Sequence, residues 1–523
     1  MFYNQAITYN RNKSEKKLFE AAYKKELAQL MKLKTWDNNP INIDNVDPNK
    51  IINSMFIFNV KRDNKHKCRL VARGDQQSDG TYKKELVANT VHHYALMICL
   101  SNCLSNDYDI IQLDISSAYL YAELEEDLYI RAPPHMKLDN KVFRLRKSLY
   151  GLKQSGANWY ALIKNYLVSK CGMVEVSGWA CVFIKEIGNK KLILCLFVDD
   201  IILFTNDRHL ANVLINTLKS RFDTKIVNEG DNPITNRYDI LGLEIEYEKS
   251  ESMSFGMGKS IEEKLPKFNI NLDMRKNVPG VPGLIPKKET LVVTEKEYKQ
   301  KVKWMQMVIG LASYIGYKYR FDLLYYINVL ARYTLYPSAT VIEMTKQLIQ
   351  YLWWSRHKKL RWFKNDYNKE NRLTVITDAA FASQDNYKSQ YGNYYYLNDN
   401  VIGGKSSKST LTCTSSTEAE IYAISESIPR IEIFELLVQK INDNPIKKEI
   451  ITDSPPSISS FNAIDESKMK AKFLTTRLLR SKEEIKIQKI EMSYINTKHN
   501  KADILTKPVQ VKDFQHLTED WIL

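Results

Sequence analysis

Two sets of acidic residues in this 523-residue chain have the types and settings that phosphoryl-transfer chemistry requires. In the first, Asp199 and Asp200 stand side by side in the apolar run "LFVDDIILF", and Asp114 closes the apolar run "YDIIQLDI" 85 residues earlier. Adjacent carboxylates in apolar surroundings repel each other and lose hydration, so they stay ionised most easily beside a cation. Three carboxylates on two neighbouring strands can hold two Mg2+ ions about 4 Å apart. One such ion lowers the pKa of an attacking hydroxyl, and the other stabilises the leaving group. Taken alone, the Asp-Asp pair reads equally well as a solvated hairpin turn, and Asp114 as an ordinary strand-end residue.

The second set is made of single acids. Asp378 lies in "LTVITDAAFAS", Glu420 in "TSSTEAEIYAISESI", Asp453 in "KEIITDSPPS" and Asp503 in "TKHNKADILTKP". Asp378 and Asp453 end apolar strands. Glu420 sits on a helix whose Ile421, Ile424 and Ile428 stripe must face a sheet. A strand–helix–strand–helix order carrying four acids is what two-metal hydrolysis of a phosphodiester needs. Glu418 is half a helical turn from Glu420 and faces another side. His499 reads as an exposed loop residue. Pro455-Pro456 fall in a first helical turn, where proline is tolerated, although a distorted onset there would displace Asp453.

The elements that must position these acids follow from periodicity and punctuation. Residues 1 to about 50 are polar and basic. They contain a helical stretch, "KSEKKLFEAAYKKELAQLMKLKTW", with Leu18, Ala22, Leu27 and Leu30 near helical spacing. Met55 to Gly74 reads as a hairpin turning at Asp63-Asn64 and carrying Lys61, Arg62, Lys65, Lys67, Arg69 and Arg73. Residues 92–106 are helical. Residues 141–170 read as a strand, a Gly-containing turn and an amphipathic helix. Residues 192–206 form a tight hairpin split by the two acids, and 238–249 a further strand. Pro279, Gly280, Pro282, Gly283 and Pro286 mark a linker. A long helical stretch follows from 298 to 354 with one break at Tyr336-Pro337. After the polar stretch 365–372, a separate α/β domain begins near Leu373.

Several of these stretches carry a family resemblance. "QLDISSAYLYAEL", "RKSLYGLKQSGANWY", "LCLFVDDIILF" and "YDILGLEI" resemble, in order, the palm motifs of Ty/copia-type retrotransposon reverse transcriptases, most like those of yeast Ty elements, and "KCRLVARGD" resembles their fingers segment. The resemblance implies that Asp114, Asp199 and Asp200 form the metal-binding triad. It makes Tyr119 the residue under the incoming sugar. Lys67, Arg69 and Arg73 become contacts to the triphosphate, with Arg69 foremost, and Lys153 and Gln154 polar groups of the pocket floor. Leu241-Gly242 matches the hairpin that grips the primer end. The family often has Tyr before the paired aspartates, where this chain has Phe197-Val198.

The C-terminal domain, with "STEAEIYAI" and "ADILTKP", resembles the ribonuclease H of the same elements. Asp378, Glu420, Asp453 and Asp503 are then its metal ligands, Glu420 being chosen because it precedes the Ile-x-Ala run as the family's acid does. "GGKSSKSTLTCTSS" (403–416) lacks Walker A spacing and reads as a hairpin with Lys405 and Lys408 near the hybrid backbone.

The implied fold is α+β and multidomain. A basic helical extension (1–48) precedes fingers and palm (49–255), a helical thumb or connection (256–368) and an α/β ribonuclease H-like domain (369–523). The implied activity is RNA- and DNA-directed DNA synthesis with degradation of the RNA strand of hybrids. It uses two Mg2+ per site, for which Mn2+ can substitute. The implied partners are RNA template, DNA primer and cDNA, RNA/DNA hybrid and deoxynucleoside triphosphates. The element's integrase, its capsid particle and a second copy of the chain are further candidates.

Composition agrees. The hydrophobic fraction of 44% and the charged fraction of 26% are those of a folded globular chain, long enough for three or four domains at roughly 150 residues each. A net charge of +15 points to a polyanion, and 31 Tyr, 18 Phe and 8 Trp offer stacking surfaces for bases. Seven cysteines without a Cys-x-x-Cys pair read as free thiols of a reducing compartment. No signal peptide and no membrane-spanning run is present, so the expectation is a soluble, intracellular protein. The family resemblance implies a cytoplasmic virus-like particle, with the nucleus, beside the cDNA, as a second candidate location. The frame carries no protease or integrase segment and reads as part of a larger polyprotein. The competing reading is a catalytically degenerate or domesticated product that binds nucleic acid without turnover. All seven acids are present, which argues against wholesale decay, and the altered residues after Asp453 are an example of the subtler loss that reading needs.

Overall fold

The computed structural model describes the chain apart from residues 9–11, 61–63, 84–85, 133–137, 139, 231, 233, 282–283, 285, 287, 290–292, 366–369, 463–471 and 523. Lys61, Arg62 and Asp63 of the basic hairpin, Pro282 and Gly283 of the linker and part of the polar stretch 365–372 lie outside the described residues. The chain forms two compact units, one of residues 1–92 and 111–229, the other of 93–110 and 230–523. These units cut across the four-segment division, because the helix His93–Ser105, read with fingers and palm, belongs to the second.

A six-stranded sheet, in the first unit apart from Asp109 and Ile110, runs in the order Thr224–Asn228, Asp109–Ile115, Asp200–Thr205, Lys190–Phe197, Val182–Ile187, Val174–Glu175. Ile193, Leu194, Cys195, Ile201, Ile202 and Leu203 are fully buried, which is why these runs are continuously apolar rather than alternating. The helix Arg208–Lys219 lays Leu210, Leu214 and Leu218 on the core and is capped by Asp207, which accepts from Leu210 N–H at 2.7 Å.

A second sheet runs Ile41–Asn42, Lys141–Arg144, Tyr129–Arg131, Ile51–Val60, His66–Ala72. The N-terminal helix Lys13–Lys32 shares its core, with Phe19 and Leu30 against Phe56, Phe58 and Leu70. Phe19, Glu26 and Leu30 are buried, and Ala22, Tyr23 and Leu27 pack partly buried against the same core. Of the expected stripe only Leu18, 52% exposed, faces outward, because its neighbour Phe19 takes the inward position.

The second unit holds a four-stranded antiparallel sheet, Thr235–Ile240, Leu243–Glu248, Ser252–Gly256, Leu360–Phe363. The stretch 238–249 is therefore a hairpin and not one strand. Leu241 (φ 53°) and Gly242 (φ 80°) form its two-residue turn, and positive φ at both positions suits the right-handed strand twist. The long helical stretch breaks twice. Besides the break near Pro337, the helix Glu295–Gly316 stops before Arg320, which is fully buried in an ion pair with Asp322 at 2.8 Å. The chain resumes as Leu324–Ala331 and Ala339–Trp354.

A five-stranded sheet follows in the order Asn400–Lys408, Gln390–Leu397, Asn371–Ala380, Ile446–Thr452, Ile490–Tyr494, the first three antiparallel and the last two joining in parallel. The hairpin of Gln390–Leu397 and Asn400–Lys408 turns at Asn398-Asp399, both at positive φ, so of the 403–416 stretch expected to be a hairpin, 403–408 is the second strand of that hairpin and residue 416 begins a helix. Gly403 admits the Tyr94 ring, since a Cβ there would lie 2.0 Å from Tyr94 Cε1. Its glycines serve packing. All seven cysteines are free and buried. Among the described residues no helix is long and apolar enough to cross a membrane.

Candidate active sites

The first acid set is assembled by the six-stranded sheet. Asp200 pairs with Phe197, which leaves Val198 and Asp199 as a two-residue turn. Val198 takes φ 57°, a strained region for a β-branched residue. Trp159, buried on the helix Ser155–Ser169, donates its ring N–H to Val198 O at 2.6 Å and holds that turn. The neighbouring strand supplies Asp114, and Ile115 N–H donates to Asp199 O at 2.9 Å. Asp114, Asp199 and Asp200 thus line one cavity of about 730 Å3. Burial pushes the Asp199 carboxyl up and Asp114 adds to the rise, while Arg69 and Lys67 pull it back.

Lys67 and Arg69 line the same cavity from the strand His66–Ala72. The Arg69 guanidinium lies 4.9 Å from the Tyr150 ring centroid, and its Nε is buried without a hydrogen-bond partner. Tyr119 stands behind, edge-on to Tyr150 at 5.1 Å. The other expected nucleotide contacts are not brought to the cavity lining. Arg73 lies just past the strand and ion-pairs with Asp75 at 2.6 Å. Lys153 donates to Gln77 O at 3.2 Å and Tyr82 Oη at 3.0 Å. Gln154 is fully buried, accepting from Gln77 Nε2 at 2.9 Å and donating to Thr81 O at 3.3 Å. These two amides and the lysine stitch a loop together. Tyr150 and Lys225, the cross-strand neighbour of Asp114, line the cavity and were not singled out from sequence. Tyr150 lies in "SLYGLKQSG", a turn-rich stretch without the periodicity that marks an inward face.

In the second unit, the Leu241-Gly242 turn is held through one carbonyl. Leu241 O accepts from Lys318 Nζ at 2.6 Å and from Tyr314 Oη at 3.1 Å.

The second acid set is built by register. The parallel strands pair Thr377 with Thr452, so the next residues, Asp378 and Asp453, come side by side. Gly392, opposite Asp378, lets the 501–505 segment press onto the sheet, since a Cβ there would lie 2.4 Å from Leu505 Cβ. Asn500 Nδ2 donates to Thr377 O at 3.3 Å, and this docking delivers Asp503. Among the described residues, Asp378, Asp453 and Asp503 form the one group of three metal-competent side chains whose ligand atoms lie within 4.8 Å of one another. Asp114, Asp199 and Asp200 share a cavity but are not drawn together to that degree.

Glu420, on the helix Ser416–Ile441, accepts from Ala379 N–H at 3.2 Å, and its other oxygen is buried with no hydrogen-bond partner. Glu418 is engaged in the helix cap, accepting from Thr414 N–H at 2.6 Å. Helix onset at Pro455 is regular and leaves Asp453 in the acid group. His499 is exposed, with its Nδ1 3.3 Å from His516 Nε2. Lys405 lies 3.4 Å from Glu426 and over the Tyr391 ring.

Burial pushes Asp378 up, with Lys507 and Thr506 opposing, and pushes Glu420 up with Asp378 and Asp453 adding to it. Asp503 is raised to about 7 by burial and then by Asp378, although Lys507 ion-pairs with it at 2.9 Å. Thr506 donates its hydroxyl to Asp378. Thr506 and Lys507 were not singled out from sequence. They stand three and four residues after Asp503, a spacing that puts them on its side of a helical turn.

Converging carboxylates with an orphaned buried oxygen fit a divalent cation and fit poorly without one. The expected consequence concerns stability. The Asp503 carboxyl titrates at about 7 when folded and near 4 when unfolded. In that window the folded chain binds the extra proton, so stability in a chelator falls as pH rises from about 4 to about 7. Calorimetry in EDTA should show a melting temperature lower by a few degrees at about pH 8 than at about pH 5, and Mg2+ should raise it mainly at the higher pH. A pH-independent response to Mg2+ contradicts this.

Residues 34–270 match the family model described as reverse transcriptase (RNA-dependent DNA polymerase). The chain is 52% identical over 525 residues to the transposon Ty1-NL2 Gag-Pol polyprotein of Saccharomyces cerevisiae, aligning 99% of this chain with 30% of that polyprotein. It is 51% identical to the truncated transposon Ty1-A Gag-Pol polyprotein of the same yeast, covering 99% of this chain and 44% of that one. The chain spans less than half the length of these curated relatives. A similar solved structure is the foamy viral protease-reverse transcriptase dRH in complex with double-stranded DNA, with a TM-score of 0.49 and 12% identity over 92% of this chain and 70% of that one.

Proposed function

The chain belongs to the Ty1/copia-type retrotransposon reverse transcriptases, and from that premise we propose that it is an RNA- and DNA-directed DNA polymerase fused to a ribonuclease H that degrades the RNA strand of RNA/DNA hybrids. The observation that carries the proposal is one cavity in which three aspartates on neighbouring strands face the basic residues Lys67 and Arg69. A triphosphate needs cationic side chains beside carboxylates that can take a metal.

Asp114, Asp199 and Asp200 would hold one set of divalent cations, and Asp378, Glu420, Asp453 and Asp503 the other. Such cations, when bound, lower the pKa of the attacking hydroxyl or water and stabilise the leaving oxygen. The chain's own side chains do the rest. Arg69 and Lys67 take the triphosphate, Arg69 being held in place by the Tyr150 ring. Tyr119 backs that ring on the sugar side. The Leu241-Gly242 turn, fixed by Lys318 and Tyr314, supports the primer end. In the second site Thr506 orients Asp378, and Lys507 offsets the charge of Asp503.

We assign fingers and palm to 49–255, thumb and connection to 256–368 and ribonuclease H to 369–523. On the same reading the enzyme works on RNA template and DNA primer in a cytoplasmic virus-like particle, beside the element's capsid and integrase. The test is dTTP incorporation by the purified chain on poly(rA)/oligo(dT) with Mg2+. Template-dependent incorporation is expected. RNA binding with steep salt dependence and no turnover overturns the proposal.

A further inference from the structure

The N-terminal helix Lys13–Lys32 does more than cover the sheet of the first unit. Ala22, Lys25, Glu26 and Gln29 recur at positions i, i+3, i+4 and i+7, one stripe of the helix, and all four line the cavity that holds the three aspartates. Lys25 is exposed on that wall, while Lys24, its neighbour in sequence, is exposed and is not part of the lining.

Glu26 is the unusual member. It is 8% exposed, and a carboxylate at that depth costs free energy that an apolar residue would not. Its Oε1 accepts the Leu70 N–H at 3.0 Å. Leu70 lies on His66–Ala72, which among the described residues is the terminal strand of its sheet, with no further strand paired to its outer edge. The carboxylate therefore pins the open edge of the strand next to Arg69. It also interacts electrostatically with Arg69 and Lys67. Arg69 in turn carries a buried Nε with no hydrogen-bond partner and rests on Tyr150. A cationic side chain so held, with an unused donor in a cavity lined by three carboxylates, is built to receive an anion.

We propose that this helix is a wall of the polymerase pocket, with Lys25 touching the anionic substrate and Glu26 acting as a positioning residue for the strand that carries Arg69. The inference rests on the polymerase reading above and adds to it the 13–32 segment, which lies before the matched family region.

The test is steady-state dTTP incorporation on poly(rA)/oligo(dT) by the full chain. Lys25→Glu and Lys24→Glu change net charge equally, one on the cavity wall and one off it. Lys25→Glu should raise KM for dTTP about tenfold with kcat within about threefold, and Lys24→Glu should stay within about twofold of wild type. Glu26→Ala should likewise raise KM about tenfold, whereas Glu26→Gln, which keeps an acceptor for Leu70 N–H, should stay within about threefold. Hybrid cleavage measured on the same preparations reports folding, and the lysine pair decides if Glu26→Ala loses both activities. Equal effects of the two lysine variants overturn the inference, as does an unchanged KM in an active Glu26→Ala. A wild-type chain that incorporates nothing defeats the polymerase reading instead.

Discussion

Asp378→Asn should abolish cleavage of the RNA strand in an RNA/DNA hybrid while dTTP incorporation stays within about twofold of wild type. Asp378 is the acid at which the second site converges. Strand register sets it beside Asp453, Thr506 donates to it, and its charge raises both Glu420 and Asp503. Asparagine keeps the volume and removes the charge, so a cation held by this acid group would lose its central ligand. A loss of about a thousandfold corresponds to roughly 4 kcal/mol of transition-state stabilisation at 1.4 kcal/mol per decade. The substitution also removes buried repulsion, so the chain in EDTA should melt no lower than wild type. That separates lost chemistry from lost folding. Hybrid cleavage at more than a tenth of the wild-type rate would contradict the assignment.

The reciprocal variant, Asp199→Asn, should lower dTTP incorporation by about a thousandfold and leave hybrid cleavage within about twofold. Asp199 sits in the two-residue turn beside Val198, whose carbonyl is tied to Trp159, and asparagine keeps an oxygen that can accept the backbone hydrogen bond the carboxylate makes in that turn. Burial and Asp114 both oppose its charge, while Arg69 and Lys67 favour it. Asparagine would therefore remove one ligand of the proposed cation site while keeping a side-chain oxygen of the same shape. Undiminished incorporation would place the polymerase chemistry elsewhere.

The acids that converge in the two sites were legible in the sequence because their local setting is abnormal. A charged residue inside or at the end of an apolar run, as at Asp114, Asp199, Asp378 and Asp453, is costly unless it has a task, and the cost shows without any three-dimensional information. The helix bearing Glu420 was legible for a related reason, since its isoleucine stripe fixes its inner face. What local patterning could not supply is the identity of tertiary neighbours. Arg73, Lys153 and Gln154 are polar groups near the right motifs, but each is held by another partner, Asp75 in one case and the Gln77–Tyr82 loop in the others. Tyr150, Trp159 and the 22–29 stripe reach the first site only through folding.

Errors of element boundary have physical causes too. Leu241-Gly242 turns within an unbroken apolar-polar alternation. The break before Arg320 is set by a buried ion pair two residues apart in sequence. Leu18 was placed one helical position off because Phe19, Tyr23 and the buried carboxylate of Glu26 share the inner face.

The most direct measurement is an anomalous-scattering map from crystals of the full chain bound to an RNA/DNA hybrid and soaked in Mn2+. The expected result is density for divalent ions at two places, one among Asp114, Asp199 and Asp200 and the other among Asp378, Glu420, Asp453 and Asp503. A map with hybrid bound and no ion at either acid set would contradict the two-site chemistry outright.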